Sequence, residues 1–367
     1  MTDRSRWITK LVPAAALCLL TLLSAAPAEE ATGRTPVLPE TPYNYASVTL
    51  PPHLAVIRDN IPADNPITDH GATLGRVLFY DRRLSANDTT ACASCHLQEY
   101  AFSDPERFST GFSGGKTPRN AMGLANGRFF QADQFFWDAR VESLEELILL
   151  PIQNPIEMGN TLERAVAKVA AAPFYPPLFA KAFGSPEVTQ DRIAKAMAQF
   201  LRAMVSYQSR YDEGVATGFR NFTGQEKFGM ELFNAQANRC ARCHLSDTQI
   251  LLFPRNNGLD LVYSDKGMGS VTGDGFDNGR FKPPSLRNVG LTGPYMHDGR
   301  FATLQDVLEH YSSGIQSHNN LGSFLPDRGL DLTARQRNAM EAFLHTLTDL
   351  AFTSDPKFSD PFARPRK

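Results

Sequence analysis

Two short stretches constrain this chain more than anything else in it: ACASCH at 91–96 and RCARCH at 239–244. Each contains Cys-x-x-Cys-His, the attachment signature of a c-type haem. Cys92 and Cys95, and again Cys240 and Cys243, can add across the two vinyl groups of one haem. His96 and His244 then stand ready as the proximal ligand to each iron. A structural disulfide, a thioredoxin-type pair or one zinc site built from both pairs are the competing readings of a single Cys-x-x-Cys. Two copies, each followed directly by His, favour two covalently bound haems. The fifth cysteine, Cys18, falls in the leader described next.

Arg4, Arg6 and Lys10 precede an apolar run from Leu11 to Ala26, which ends in Ala26-Pro27-Ala28. A basic start, a short apolar stretch and a small-residue cleavage site describe a secretory signal over 1–28 and a periplasmic destination. Losing those three basic residues and Asp3 takes the formal net charge from −2 to −4. With no basic run, the composition gives no electrostatic footprint for nucleic acid. The roughly 340 residues that remain suit two domains.

Residues 29–70 hold seven prolines without periodicity and read as an extended arm. Leu74, Val77 and Leu78 then follow helical spacing. Capping patterns at Ser143–Glu146, Thr223–Glu226 and Thr333–Gln336 open further helices, as does the stretch Asn160–Glu163. A long helix is expected from about Thr189 to Gln208, with Ile193, Met197, Phe200, Leu201 and Met204 on one face, and another starts at Thr303. Strand signals are weak throughout. The expected fold is mainly α, with long loops and two tandem cytochrome c-like haem domains at 71–215 and 216–350, followed by a tail at 351–367.

The two units read as one unit repeated. LGRVLF before the first motif matches FGMELF before the second, KTPRN at 116–120 matches KPPSLRN at 282–288, and FWDARVESLEE at 136–146 matches MHDGRFATLQD at 296–306. This register sets Trp137 against His297, Arg140 against Arg300 and Asn120 against Asn288. Fourteen residues after Trp137 stands Pro151, which cannot bind iron; fourteen after His297 stands Tyr311, which can.

Over residues 70–350 the order of these motifs, FWD-x-R, P-x-Q-x-P-x-E, SLRN and PYMHDGR between and after the two haem signatures, resembles the bacterial di-haem cytochrome c peroxidase and MauG family. The resemblance implies a first haem that reacts with hydrogen peroxide and a second, six-coordinate haem for electron transfer. It implies Glu157 as the acid–base group and Trp137 as the relay between haems. Tyr311 falls where the second haem's distal ligand lies, with His310 and Met296 as rivals, and His297 nearby in a supporting role. It also implies a calcium ion held by the Asn120 side chain and the Thr292 and Pro294 carbonyls. Phe112 stands where many members carry a loop histidine that blocks the first haem, so an open first haem is expected. Leu147 replaces a frequent distal glutamine, and Asn238 replaces a MauG tryptophan. The implied partners are a small c-type cytochrome or a cupredoxin as electron donor, and in the MauG branch a substrate protein; homodimers are common in the peroxidase branch. A plain di-haem electron carrier is the alternative outside enzymes.

Overall fold

The computed structural model describes residues 34–130, 134–235, 240–244, 253–323 and 325–363. The leader at 1–28 and Asn238 lie outside them. In chain order the main helices are α1 (Asp69–Tyr80), α2 (Leu144–Gln153), α3 (Leu162–Ala171), α4 (Tyr175–Phe183), α5 (Gln190–Ala203), α6 (Arg210–Thr217), α7 (Gly224–Asn234), α8 (Leu304–Glu309) and α9 (Ala334–His345). Strand is confined, among the described residues, to a two-stranded antiparallel pair, β1 (Arg255–Asn256) and β2 (Arg280–Phe281), and a few isolated bridges. The fold is mainly helical with long loops.

Side-chain caps start the helices where the sequence places them. Ser143, Thr223, Thr303 and Thr333 each accept a bond from the backbone N–H three residues on, which satisfies a donor the helix itself leaves unpaired. Helix α3 is capped by Thr161, one residue later than the sequence pattern suggests. Helix α5 ends at Ala203, short of Gln208, and the chain continues extended through a Met204–Leu201 turn. Its expected apolar stripe is buried throughout, from Leu201 at 6% to Phe200 and Met204 at 0% exposure.

Two helix pairs form the framework, and both are built on the same contact. Helix α1 crosses α5 at Gly75, where any side chain would collide with the Ala196 carbonyl. Helix α7 crosses α9 at Gly229, where a side chain would collide with the Ala339 carbonyl. The β-carbons of Phe200 and Phe343 lie next to these two glycines in turn. Only glycine lets the backbones approach so closely, and each crossing holds up the Cys-x-x-Cys-His turn that follows its first helix.

One pairing from the sequence register changes. Asn126, not Asn120, occupies the place equivalent to Asn288. Both have left-handed backbone with φ of 62° and open a short 3₁₀ turn. Their side-chain amides meet at Ser206, Asn126 donating to its carbonyl (3.1 Å) and Asn288 to its hydroxyl (3.2 Å). Asn126 stands eleven residues before Trp137, close to the nine between Asn288 and His297, whereas Asn120 stands seventeen before it; the Arg-Asn pair shared by KTPRN and KPPSLRN outweighs that spacing.

Both ends of the described chain lie on the first unit. Tyr45 is buried and its hydroxyl donates to the Lys357 carbonyl at 2.5 Å, while Val37 N–H bonds the Pro361 carbonyl at 2.8 Å. Beyond residue 350, Phe352 stacks edge-on to Phe102 (5.5 Å) and Phe358 packs on Phe200 (6.2 Å). The segment expected as a tail thus completes the first hydrophobic core.

Candidate active site

Each Cys-x-x-Cys-His motif forms a 3₁₀ turn, Cys92–Ser94 and Cys240–Arg242, that brings its histidine back over the turn through an N–H bond to the first cysteine's carbonyl, 3.0 Å in both. The imidazoles are then fixed alike. His96 Nδ1 lies 2.8 Å from the Phe102 carbonyl and His244 Nδ1 lies 3.1 Å from the Pro284 carbonyl. A carbonyl only accepts, so Nδ1 carries the hydrogen in each ring and Nε2 keeps its lone pair, the arrangement iron ligation needs.

Among the described residues, none of the four cysteines is in a disulfide. Burial pushes the Cys92 and Cys240 thiols up to about 12 and Cys95 to about 11, and it raises Cys243 as well. Burial thus favours the neutral S–H form of these thiols. Among the described residues no three His, Cys, Asp or Glu groups converge on a metal position. The turns hold no disulfide, and the two pairs lie in separate turns, one in each unit.

Cys92, Cys95 and His96 open into a cavity of about 1040 Å³. That lies at the upper end of the ~300–1,000 Å³ common for ligand and cofactor sites. Phe79, Leu144, Leu147, Ile148 and Leu201 supply apolar wall, as a macrocycle requires. The α2 face carrying Leu144, Leu147, Ile148 and Pro151 follows helical spacing, so Pro151 and Leu147 line the cavity without offering an iron ligand or a hydrogen bond.

Glu157 reaches the same cavity from the loop between α2 and α3. Asn154 shapes that loop: its side-chain oxygen accepts from the N–H groups of Ile156 (2.9 Å) and Glu157 (3.3 Å), and its amide donates to Glu157 Oε1 (3.1 Å). Burial raises the Glu157 pKa above the ordinary carboxyl value, and Arg140 opposes the shift. Phe112 N–H donates to the Glu157 carbonyl (2.9 Å), and its ring covers Gly159, whose φ of 58° and lack of side chain make room for it. Phe112 thus buttresses the Glu157 loop rather than lining the cavity.

Trp137 stands at the boundary of the two units. Its Nε1–H donates to the Asn120 carbonyl (2.8 Å), its own carbonyl accepts from Lys282 N–H (2.8 Å), and Asn120 N–H bonds the His297 carbonyl (2.8 Å). Asp138 alongside binds Arg119 (2.6 Å) and Arg140 (2.8 Å), and Arg119 continues to Asp265 of the second unit (2.7 Å). His297 itself is buried and stacks flat on Phe281 at 3.7 Å.

Trp137 also lines a second, small cavity of about 60 Å³, together with Asn120, Arg287, Thr292 and Pro294. The three expected calcium ligands therefore come together. The Asn120 amide nitrogen is turned to the carbonyls of Glu106 (3.1 Å) and Arg107 (3.4 Å), and among the described residues nothing donates to its Oδ1. An open side-chain oxygen in a small inter-unit cavity suits a hard cation completed by carbonyls and water.

In the second unit Tyr311 lies on a π-helical turn, His310–Gly314, that follows α8. Such single turns widen the helix and re-aim a side chain. Burial pushes the phenol up to about 12, the Asn257 side chain pulls it back, and the Cys243 and Cys240 thiols add to the rise. The rivals are engaged elsewhere: His310 Nε2 faces the Asn257 carbonyl (3.0 Å), and Met296 Sδ accepts from the Asn257 amide (3.5 Å). Asn257 organises all three residues, and nothing in its loop sequence signals that. Lys282 and the Ser264–Lys266 segment, which wall the first cavity from the second unit, also escape a reading confined to motifs.

Residues 69–218 match the family model for di-haem cytochrome c peroxidase. The chain is 35% identical over 295 residues to methylamine utilization protein MauG of Methylorubrum extorquens, covering 78% of this chain and 80% of that one. It belongs to the di-haem cytochrome c peroxidase family. Cytochrome c551 peroxidase of Nitrosomonas europaea is 37% identical over 254 residues, 68% of this chain and 75% of its own. Among solved structures, a MauG-like protein associated with microbial copper homeostasis superposes with a TM-score of 0.78 at 35% identity, over 86% of this chain and 99% of that one. Membership makes this chain a peroxidase-type oxidoreductase and implies two c-type haems, which the two cysteine–histidine turns and the apolar cavity fit.

Proposed function

We propose that the protein reduces hydrogen peroxide to water in the cavity of Cys92, Cys95 and His96, drawing electrons from a small c-type cytochrome or cupredoxin by way of the second haem. The haem bound there supplies the redox centre at which the O–O bond is broken. Glu157 takes a proton from the near oxygen of peroxide and returns it to the far one, so that two electrons and two protons from outside yield two waters. Burial raises its pKa, which makes it a better acceptor for that proton than a solvated carboxyl. Pro151 and Leu147 leave the peroxide face without a competing ligand. Trp137, bonded to Asn120 and Lys282, carries electrons between the units, Tyr311 binds the second iron, and calcium sits at Asn120, Thr292 and Pro294. The site of action is the periplasm, after cleavage of the leader.

The observation that carries this reading is Glu157, a carboxyl pushed upward by burial on the wall of the cavity that holds His96. Peroxide-dependent oxidation of a reduced cytochrome c by the fully oxidised, haem-loaded protein tests it. Fast turnover without prior reduction supports the reading; no reaction with peroxide in either oxidation state leaves only an electron carrier. A second reading, oxidation of a partner protein in the manner of the MauG branch, is favoured by Tyr311 beside Cys240 and Cys243. A long-lived spectrum two electrons above the resting state, with slow cytochrome turnover, would select it. The shared glycine crossings at Gly75 and Gly229 support a common origin of the two units by duplication.

A further inference from the structure

Lys282 is the first residue of KPPSLRN and belongs to the second unit. Its N–H bond to the Trp137 carbonyl (2.8 Å) ties it to the first, and its side chain lines the first unit's cavity. The residue is 4% exposed. Its Nζ lies 3.8 Å from the Phe130 ring centroid and 5.6 Å from that of Phe135. Among the described residues no oxygen bonds to it, and no carboxylate stands close enough to offset its burial. That burial alone pulls its pKa down to about 7.

The neighbouring cations are committed: Arg119 to Asp138 and Asp265, Arg140 to Asp138. A buried, unpaired ammonium is costly, and ring faces recover only part of the loss. Its environment therefore calls for an anion delivered into the cavity. Of the groups on a c-type haem, the vinyl positions go to Cys92 and Cys95 and the iron to His96. The two carboxylates are the anions that remain.

We propose that Lys282 receives a carboxylate of the haem held by Cys92, Cys95 and His96, so that a side chain of the second unit anchors the first unit's cofactor. The proposal rests on that haem filling the cavity and is independent of the reaction run there. A charged Lys282 beside the haem favours the reduced iron, and the same contact fastens the two units together.

Spectroelectrochemical titration of the haem-loaded protein tests this without peroxide. In Lys282→Met the reduction equilibrium constant of the first haem is expected to fall about tenfold, ~59 mV for a one-electron couple. The second haem keeps its potential, and Lys282→Arg restores the first. An unchanged first-haem potential in Lys282→Met overturns the proposal. Should that variant not take up haem, wild type and Lys282→Arg are titrated against pH. Glu157, Asp138, Asp265, Arg119, Arg140 and Lys266 line the same cavity in both and cancel in the comparison. Coincident curves support a paired, permanently charged Lys282; a step near neutral pH in wild type alone overturns it. Either result would stand even if the protein proved not to be a peroxidase.

Discussion

The first and second units share a chassis and differ at one wall. In both, a glycine crossing carries a 3₁₀ Cys-x-x-Cys-His turn, and a backbone carbonyl fixes the imidazole tautomer. In the cavity of its histidine the first unit presents Pro151 and a buried carboxyl, and the second holds a phenol near its cysteines on a widened helical turn. Two sites made from similar parts thus differ in the wall beside them. On the proposed reading, reactivity belongs to that wall and cofactor capture to the chassis.

That contrast breaks most visibly at Glu157. Glu157→Gln keeps the volume and removes the proton acceptor, and peroxide turnover is expected to fall about a hundred- to ten-thousand-fold in steady-state assays with both haems still loaded. Retained turnover would move the chemistry off this wall. The chassis comes next. Gly75→Val and Gly229→Val each force a side chain into a backbone carbonyl and should each cost roughly 3 kcal/mol or more in denaturant unfolding. A large cost at one crossing and none at the other would show that the two frameworks are not equivalent. Tyr311→Met should change the absorption and magnetic signature of the second haem and leave the first untouched; an unchanged spectrum would return the ligand position to its rivals.

The smallest effect sharpens the comparison through pH. Burial raises the Glu157 pKa in the folded protein, so its contribution to stability is full below the ordinary carboxyl range and is lost as pH rises through the raised value. Glu157→Gln should therefore melt slightly higher than wild type at neutral pH, with the gap closing in acid, as followed by calorimetry. Peroxide turnover in wild type should fall on the acid side as the same carboxyl takes up its proton.

Much of this was legible in the residues. The haem turns, the helix caps and the α5 stripe follow from local chemistry, and local chemistry is what a sequence displays. Glu157 and Trp137 could be named because motifs surround them, yet the structure adds what holds them: Asn154 under the carboxylate, the Asn120 bond at the indole and the Lys282 bond at the Trp137 backbone. The Asn126–Ser206–Asn288 junction was hidden because the Arg-Asn pair of KTPRN draws the match to Asn120. Asn257 was hidden because its partners Tyr311, His310 and Met296 lie some forty to fifty positions further on. Phe352 and Phe358 belong to no periodic run, so only folding reveals them as core.

Those two phenylalanines bind the ends of the described chain into one core. They complete the aromatic cluster of Phe79, Phe102 and Phe200, yet they emerge after the whole of the second unit. The first core is therefore discontinuous in the chain: a segment that lies beyond the second unit supplies one of its faces.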